Sequence, residues 1–134
     1  MIFLPEKLEL ECIFFGRGGV NELILKENNL IFKWKSDSTD KILRVVEITL
    51  LDDEWSYFWS KMEEIGFWDW SEQYNPPENM CVDGHIFILK VKYQDKCLET
   101  RCRGNYPENL NVFLQTINEI TDLQLDTPGG FGKI

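Results

Sequence analysis

From Leu8 onward apolar and polar side chains take turns, Leu8-Glu9-Leu10-Glu11-Cys12, which is the period of a strand with one buried face. The strand predicted over 8–15 is broken by Gly16-Arg17-Gly18-Gly19, a turn, because no helical pattern follows it to cradle a phosphate. Two further strands are predicted near 21–27 and 30–35, joined where Asn28-Asn29 can take the positive φ of a tight hairpin. Leu23 and Leu25 then share a core face with Leu30, Phe32 and Trp34. Ser36 to Asp40 is a polar turn, and the β-branched, apolar run 42–50 is a fourth strand.

The period then changes. Trp55, Phe58, Trp59 and Met62 recur at i, i+3, i+4 and i+7, so a helix is predicted over 52–65. Asp52, Asp53 and Glu54 suit its N-terminus, where free N–H groups and the helix dipole favour negative charge. Gly66 ends it. Residues 67–84 read as irregular, and Pro76-Pro77 forbids a helix there. Strands return at 85–93 and 97–103, joined near Gln94-Asp95. Asn105 is expected as the N-cap of a second helix, with Pro107 in its first turn and Glu108 at the capping-box spacing. Leu110, Phe113, Leu114, Ile117 and Ile120 form its buried stripe, ending near Asp122. The order is ββββ-α-ββ-α: an α+β domain with an antiparallel sheet of about six strands and two helices on one face. Residues 1–126 are expected to form that single domain, and 127–134 a flexible tail.

A chain of 134 residues, 43% hydrophobic, can build one core without a metal or disulfide staple. The start Met-Ile-Phe-Leu-Pro-Glu-Lys lacks the pattern of a secretory signal. No run approaches the roughly 20 apolar residues that span a bilayer. A cytoplasmic location without a membrane partner is the expectation. The cysteines at 12, 81, 97 and 102 form no Cys-x-x-Cys pair and stand beside a single His85, so reduced thiols are expected and no structural metal or cofactor. Cys97 and Cys102, five apart on one strand, face opposite ways.

Charge sharpens the picture. The net charge of −9 argues against nucleic acid as a partner. Residues 1–46 and 84–134 are each balanced, while 47–83 hold 10 acidic side chains against Lys61 alone. The same segment holds 8 of the 18 aromatic residues. Trp55, Phe58 and Trp59 belong to the core stripe. Tyr57, Trp68, Trp70 and Tyr74 are candidate anchors, because an irregular segment cannot bury every ring. With Asp52, Asp53, Glu54, Glu63, Glu64, Asp69 and Glu72 they make a candidate surface for a basic protein, aromatic anchors in a charged rim.

Enzyme motifs are sparse. There is no Gly-x-Gly-x-x-Gly or Walker loop, no Gly-x-Ser-x-Gly elbow and no Asp-x-Asp-x-Asp-Gly calcium loop. Cys81 and His85 near Asp83 offer a nucleophile and a base, but by sequence adjacency alone. Carboxylates between Trp68 and Asp83 could do acid–base work if a concave site formed beside Asp69, Glu72 or Asp83.

Trp68-Asp69-Trp70 with Tyr74, Asp83-Gly84, and Gly104-Asn105-Tyr106-Pro107 together resemble the motifs of a widespread family of small uncharacterised bacterial proteins, with Phe87 where that family would have a tryptophan. The resemblance spans about half the chain, from Trp55 to Ile120. It implies a bacterial origin and transfers no catalytic residue. Read locally, Asp83-Gly84 is turn chemistry and Asn105 to Pro107 is capping. Read together, Asp83, Gly84, Asn105 and Tyr106 line a groove with Trp68 and Trp70. Three functions stay open: a binding module for a basic partner, of the antitoxin or immunity type; a structural or assembly subunit; and a small carboxylate-dependent enzyme.

Overall fold

The alternation along the strands sorts side chains onto two faces of one sheet. The computed structural model describes residues 3–14, 19–36, 41–75, 85–123 and 125. In chain order these form β1 (Lys7–Phe14), β2 (Gly19–Lys26), β3 (Asn29–Lys35), β4 (Ile42–Ile48), α1 (Asp52–Glu64), a 3-10 turn (Phe67–Asp69), β5 (Gln73–Tyr74), β6 (His85–Tyr93), β7 (Lys96–Arg103) and α2 (Leu110–Thr121). The strands lie side by side as β4-β3-β2-β1-β6-β7-β5, antiparallel except that β5 runs parallel to β7. The α+β class and the ββββ-α-ββ-α order are as the hydrophobic pattern predicts, with β5 as a seventh strand.

Register puts the apolar positions together. Leu8, Leu10 and Cys12 of β1 lie opposite Val91, Leu89 and Phe87 of β6, and Leu10 opposite Leu23 of β2. All of these are buried. Both helices pack on this face: the Phe113 ring of α2 meets Phe87 edge-on, and Trp59 of α1 stacks on Tyr93. Leu50, Trp55, Phe58, Met62, Phe67, Leu110, Leu114 and Ile117 complete one continuous core. The opposite face carries no helix among the described residues, and Glu9, Glu11, Glu22, Ile24, Ile88, Lys90 and Arg101 lie along it.

α1 follows β4 and runs across the strands. The Trp59 indole donates to the Phe3 carbonyl just ahead of β1, at 2.6 Å, and Glu63 reaches Lys96 at the start of β7, at 3.2 Å. Its start is Leu51, whose N–H is accepted by the Glu54 carboxylate at 2.8 Å. Asp52 and Asp53 fill the first turn and face solvent. α2 returns across the same face; the Asn109 amide donates to the Ile65 carbonyl at 3.2 Å, fastening the start of α2 to the end of α1.

Three boundaries depart from the sequence pattern. The N-cap of α2 is Asn109 and not Asn105, whose side-chain oxygen instead accepts the Tyr106 N–H at 3.0 Å and holds a turn ahead of the helix. The β2–β3 turn is Glu27-Asn28, with the positive φ, 59°, on Glu27. The segment after Gly66 is less irregular than expected: its 3-10 turn and β5 are tied to β7 by the Thr100 hydroxyl donating to the Ser71 carbonyl at 2.6 Å and by the Arg101 N–H donating to the Glu72 carbonyl at 2.9 Å. The Gly16-Arg17-Gly18 turn, the Pro76-Pro77 and Asp83-Gly84 stretch and the 127–134 tail lie outside the described residues.

Candidate functional site

The helices turn their apolar stripes to the sheet, so their polar sides form the outer surface of the molecule. Residues 52–75 and 105–123, which build this layer, hold ten acidic side chains and one basic one, Lys61. That difference equals the net charge of the whole chain, −9. The strands have the opposite balance, with ten Lys and Arg against five Glu. The fold therefore gathers the acidic excess on one side of the molecule.

Asp52, Asp53, Glu63, Glu64, Asp69 and Glu72 are exposed on this side, and Glu54 is held half-buried by its bond to Leu51. α2 adds Glu119 and its two flanks add Glu108 and Asp122, none of which the sequence pattern placed on this surface. They are distant in sequence from the 47–83 segment, and only the antiparallel return of α2 brings them beside α1. Tyr57 marks the seam: it is 41% exposed, and its hydroxyl donates to the Glu119 carboxylate at 2.8 Å. That bond, together with the negative charge of Glu119, holds the Tyr57 phenol above its ordinary pKa. Two lysines reach in. Lys61 pairs with Glu64 at 3.5 Å and lies over the Tyr57 ring, while Lys96 pairs with Glu63 at 3.2 Å and lies over the Trp68 ring.

The other aromatic candidates have structural work. Trp68 is half-buried, stacked against Trp59 with centroids 6.0 Å apart and edge-on to Phe67 at 5.0 Å. Trp70 meets Phe67 at 5.1 Å and Phe113 at 5.9 Å. The Tyr74 hydroxyl accepts the Ser71 N–H at 2.9 Å. These rings close the core beneath the segment that joins α1 to β5, and Tyr57 is the one large aromatic left on the acidic side among the described residues. Of the groove residues, Asp83 and Gly84 lie outside the described residues. Asn105 donates to the Asn75 carbonyl at 3.3 Å, and the Tyr106 hydroxyl accepts the Gly104 N–H at 3.3 Å.

A concavity does lie beside Glu72, on the uncovered sheet face: a groove of about 670 Å³ edged by Glu11, Glu72, Ile88, Lys90, Glu99 and Arg101. A smaller hollow of about 190 Å³ adjoins it over Glu9, Glu22 and Ile24. Carboxylates and cations both border the groove, with Ile88 between Glu11 and Arg101. Among the described residues no three His, Cys, Asp or Glu side chains come together to hold a metal ion. Cys81, Asp83 and the His85 side chain are outside the described set, so the nucleophile-and-base arrangement is not placed. Cys12 and Cys102 are buried thiols outside any disulfide and Cys97 is an exposed one; burial pushes the Cys102 thiol up to about 11.

No helix is long and apolar enough to cross a membrane among the described residues. No family model matches the sequence, and no curated protein matches it.

Proposed function

We propose that this chain is a protein-binding module whose acidic helical side docks a basic protein, in the manner of an antitoxin or immunity-type inhibitor covering a cationic surface. The observation that carries this reading is the ratio of ten acidic side chains to one basic across the helical layer. Such a surface draws a basic partner by long-range attraction and raises the rate of encounter. The docking residues are Asp52, Asp53, Glu63, Glu64, Asp69 and Glu72 with Tyr57, joined by Glu119 of α2 and Asp122 just beyond it. Trp68, Trp70 and Tyr74 support that surface from below and are not its anchors. A cytoplasmic location belongs to the same proposal, in keeping with the free thiols, as does the bacterial origin implied by the Trp68–Trp70 and Gly104–Pro107 motifs.

The test is capture at low salt from the lysate of the source cell, with wild type beside a variant carrying Asp52→Lys, Asp53→Lys and Glu64→Lys. These three side chains are exposed, so the variant keeps the core. The expected result is a basic protein held by wild type, released by added salt and absent from the variant. A partner held equally by both would overturn the reading.

The groove beside Glu72 favours a second reading, a small carboxylate-dependent enzyme working on the uncovered sheet face. A thermal-shift screen of small zwitterionic and sugar ligands tests it, with Glu72→Gln and Arg101→Ala as controls. A stabilising ligand whose effect both changes remove supports the enzyme. Ligands indifferent to both changes count against it.

A further inference from the structure

On the uncovered sheet face the register sets one row of side chains across neighbouring strands. Glu11 of β1 stands opposite Ile88 of β6, Ile88 opposite Arg101 of β7, and Arg101 opposite Gln73 of β5. This row crosses the groove of about 670 Å³. A carboxylate stands at one end, a guanidinium at the other and an isoleucine between them. Neighbouring strands lie about 4.8 Å apart, so Glu11 and Arg101 are about 10 Å apart at the backbone. Among the described residues neither is in an ion pair, whereas Lys35, Lys61, Lys92 and Lys96 each reach a carboxylate. The neighbours are already matched. Lys90 stands opposite both Glu9 and Glu99 in the next row, so a carboxylate on either side offsets its charge. Glu22, opposite Glu11 on β2, is taken up by Lys35 at 3.0 Å. Glu72 borders the Arg101 end without an ion pair to the guanidinium, and its carbonyl accepts the Arg101 N–H. Gln73 adds a donor there: the Asn75 amide donates to its side-chain oxygen at 3.5 Å, which leaves its NH2 group.

We propose that this groove binds a short peptide by its two free ends, the terminal ammonium on Glu11, the terminal carboxylate on Arg101 and an apolar side chain over Ile88. The spacing selects the occupant. A free amino acid carries both charges on one Cα and cannot lie across Ile88 to meet both partners. An extended chain advances about 3.5 Å per residue, so a dipeptide or tripeptide sets its ends about 7–10 Å apart, the span to be bridged. The planar guanidinium takes a terminal carboxylate through two parallel hydrogen bonds, which an amidated end cannot accept. The proposal rests on the second reading only in taking the groove as a site for a small molecule. It is separate from the acidic helical side, which lies on the other face of the sheet.

Isothermal titration calorimetry of the full chain tests this, with Ala-Leu, its N-acetylated form, its C-amidated form and free leucine as probes. Wild type is expected to bind Ala-Leu saturably and each blocked form roughly tenfold more weakly, the scale of one hydrogen-bonded charge. Free leucine is expected to bind more weakly than Ala-Leu. Arg101→Gln is expected to weaken Ala-Leu and to erase its advantage over the amidated form. Glu11→Gln is expected to erase the advantage over the acetylated form. Both side chains lie on the uncovered face, and an unchanged circular-dichroism spectrum is expected for each variant. A wild type that does not bind Ala-Leu overturns the proposal, as does binding indifferent to the blocking groups. If Ala-Leu fails while another small ligand is held through Glu72 and Arg101, the proposal falls and the enzyme reading stands. Ala-Leu bound as predicted and recovered unchanged supports the proposal and counts against the enzyme.

Discussion

Phe113 shows what a single side chain does here. It is fully buried and meets Phe58, Phe67, Trp70 and Phe87, so it joins α1, the 3-10 turn and the sheet through one ring. Phe113→Ala is expected to cost about 3–5 kcal/mol in chemical denaturation, because the surrounding rings cannot all collapse into the space. Tyr57→Phe removes a hydroxyl from the surface and is expected to leave the denaturation midpoint nearly unchanged. The spacing of Trp55, Phe58 and Trp59 made their burial legible in the sequence. Spacing carried no such information for Trp68 and Trp70, which sit in and just after a short 3-10 turn with no period to read; Trp68 packs on Trp59 of α1, and Trp70 on Phe113, more than forty residues away in sequence. The thiols give a second test at this scale. Cys102 has a raised pKa because it is buried, so the unfolded chain gives up this proton before the folded one does. Its contribution to stability is full below pH 9 and is lost as pH rises towards about 11. The stability curve of wild type should fall more steeply across that window than that of Cys102→Val. Peptide-resolved alkylation of the native protein should label Cys97 ahead of Cys12 and Cys102, which react only on unfolding.

The elements depend on a few polar contacts placed where their backbone groups would otherwise be unpaired. Glu54 serves the start of α1, and Glu54→Ala is expected to lower stability by about 1 kcal/mol, read from the thermal or denaturant midpoint. β5 depends on Thr100, a threonine buried on the core face whose hydroxyl holds the Ser71 carbonyl. Thr100→Val keeps the shape and leaves that carbonyl without its donor. A loss of about 1 kcal/mol is expected, together with faster amide exchange at Arg101, the residue that holds the Glu72 carbonyl. The sequence pattern marked the six long strands and both helices because each spans enough residues to show its period. β5 was illegible for the opposite reason: Gln73-Tyr74 is too short to alternate, and its parallel partner β7 comes later in the chain. The start of α2 was misplaced because Asn105 and Asn109 are equally good caps locally, and the choice is made by Ile65, which accepts a hydrogen bond from Asn109.

For the whole molecule, the acidic excess that the sequence located in 47–83 becomes a property of a face. α1, the 3-10 turn and α2 point their carboxylates outward because their apolar stripes are committed to the sheet. The strands, with twice as many basic as acidic residues, leave the rest of the molecule without that excess. The charge of this face was legible in the sequence, but the half-burial of Trp68, Trp70 and Tyr74 was not, and Glu119 and Asp122 came from a part of the chain that looked neutral. Mapping a captured basic partner by amide exchange and crosslinking to the complex tests this account most directly. The account predicts crosslinks from partner lysines to Asp52, Asp53, Glu64 and Glu119, with protection across the outer sides of α1 and α2. Crosslinks and protection on the uncovered sheet face, around Glu11, Glu99 and Arg101, would contradict it.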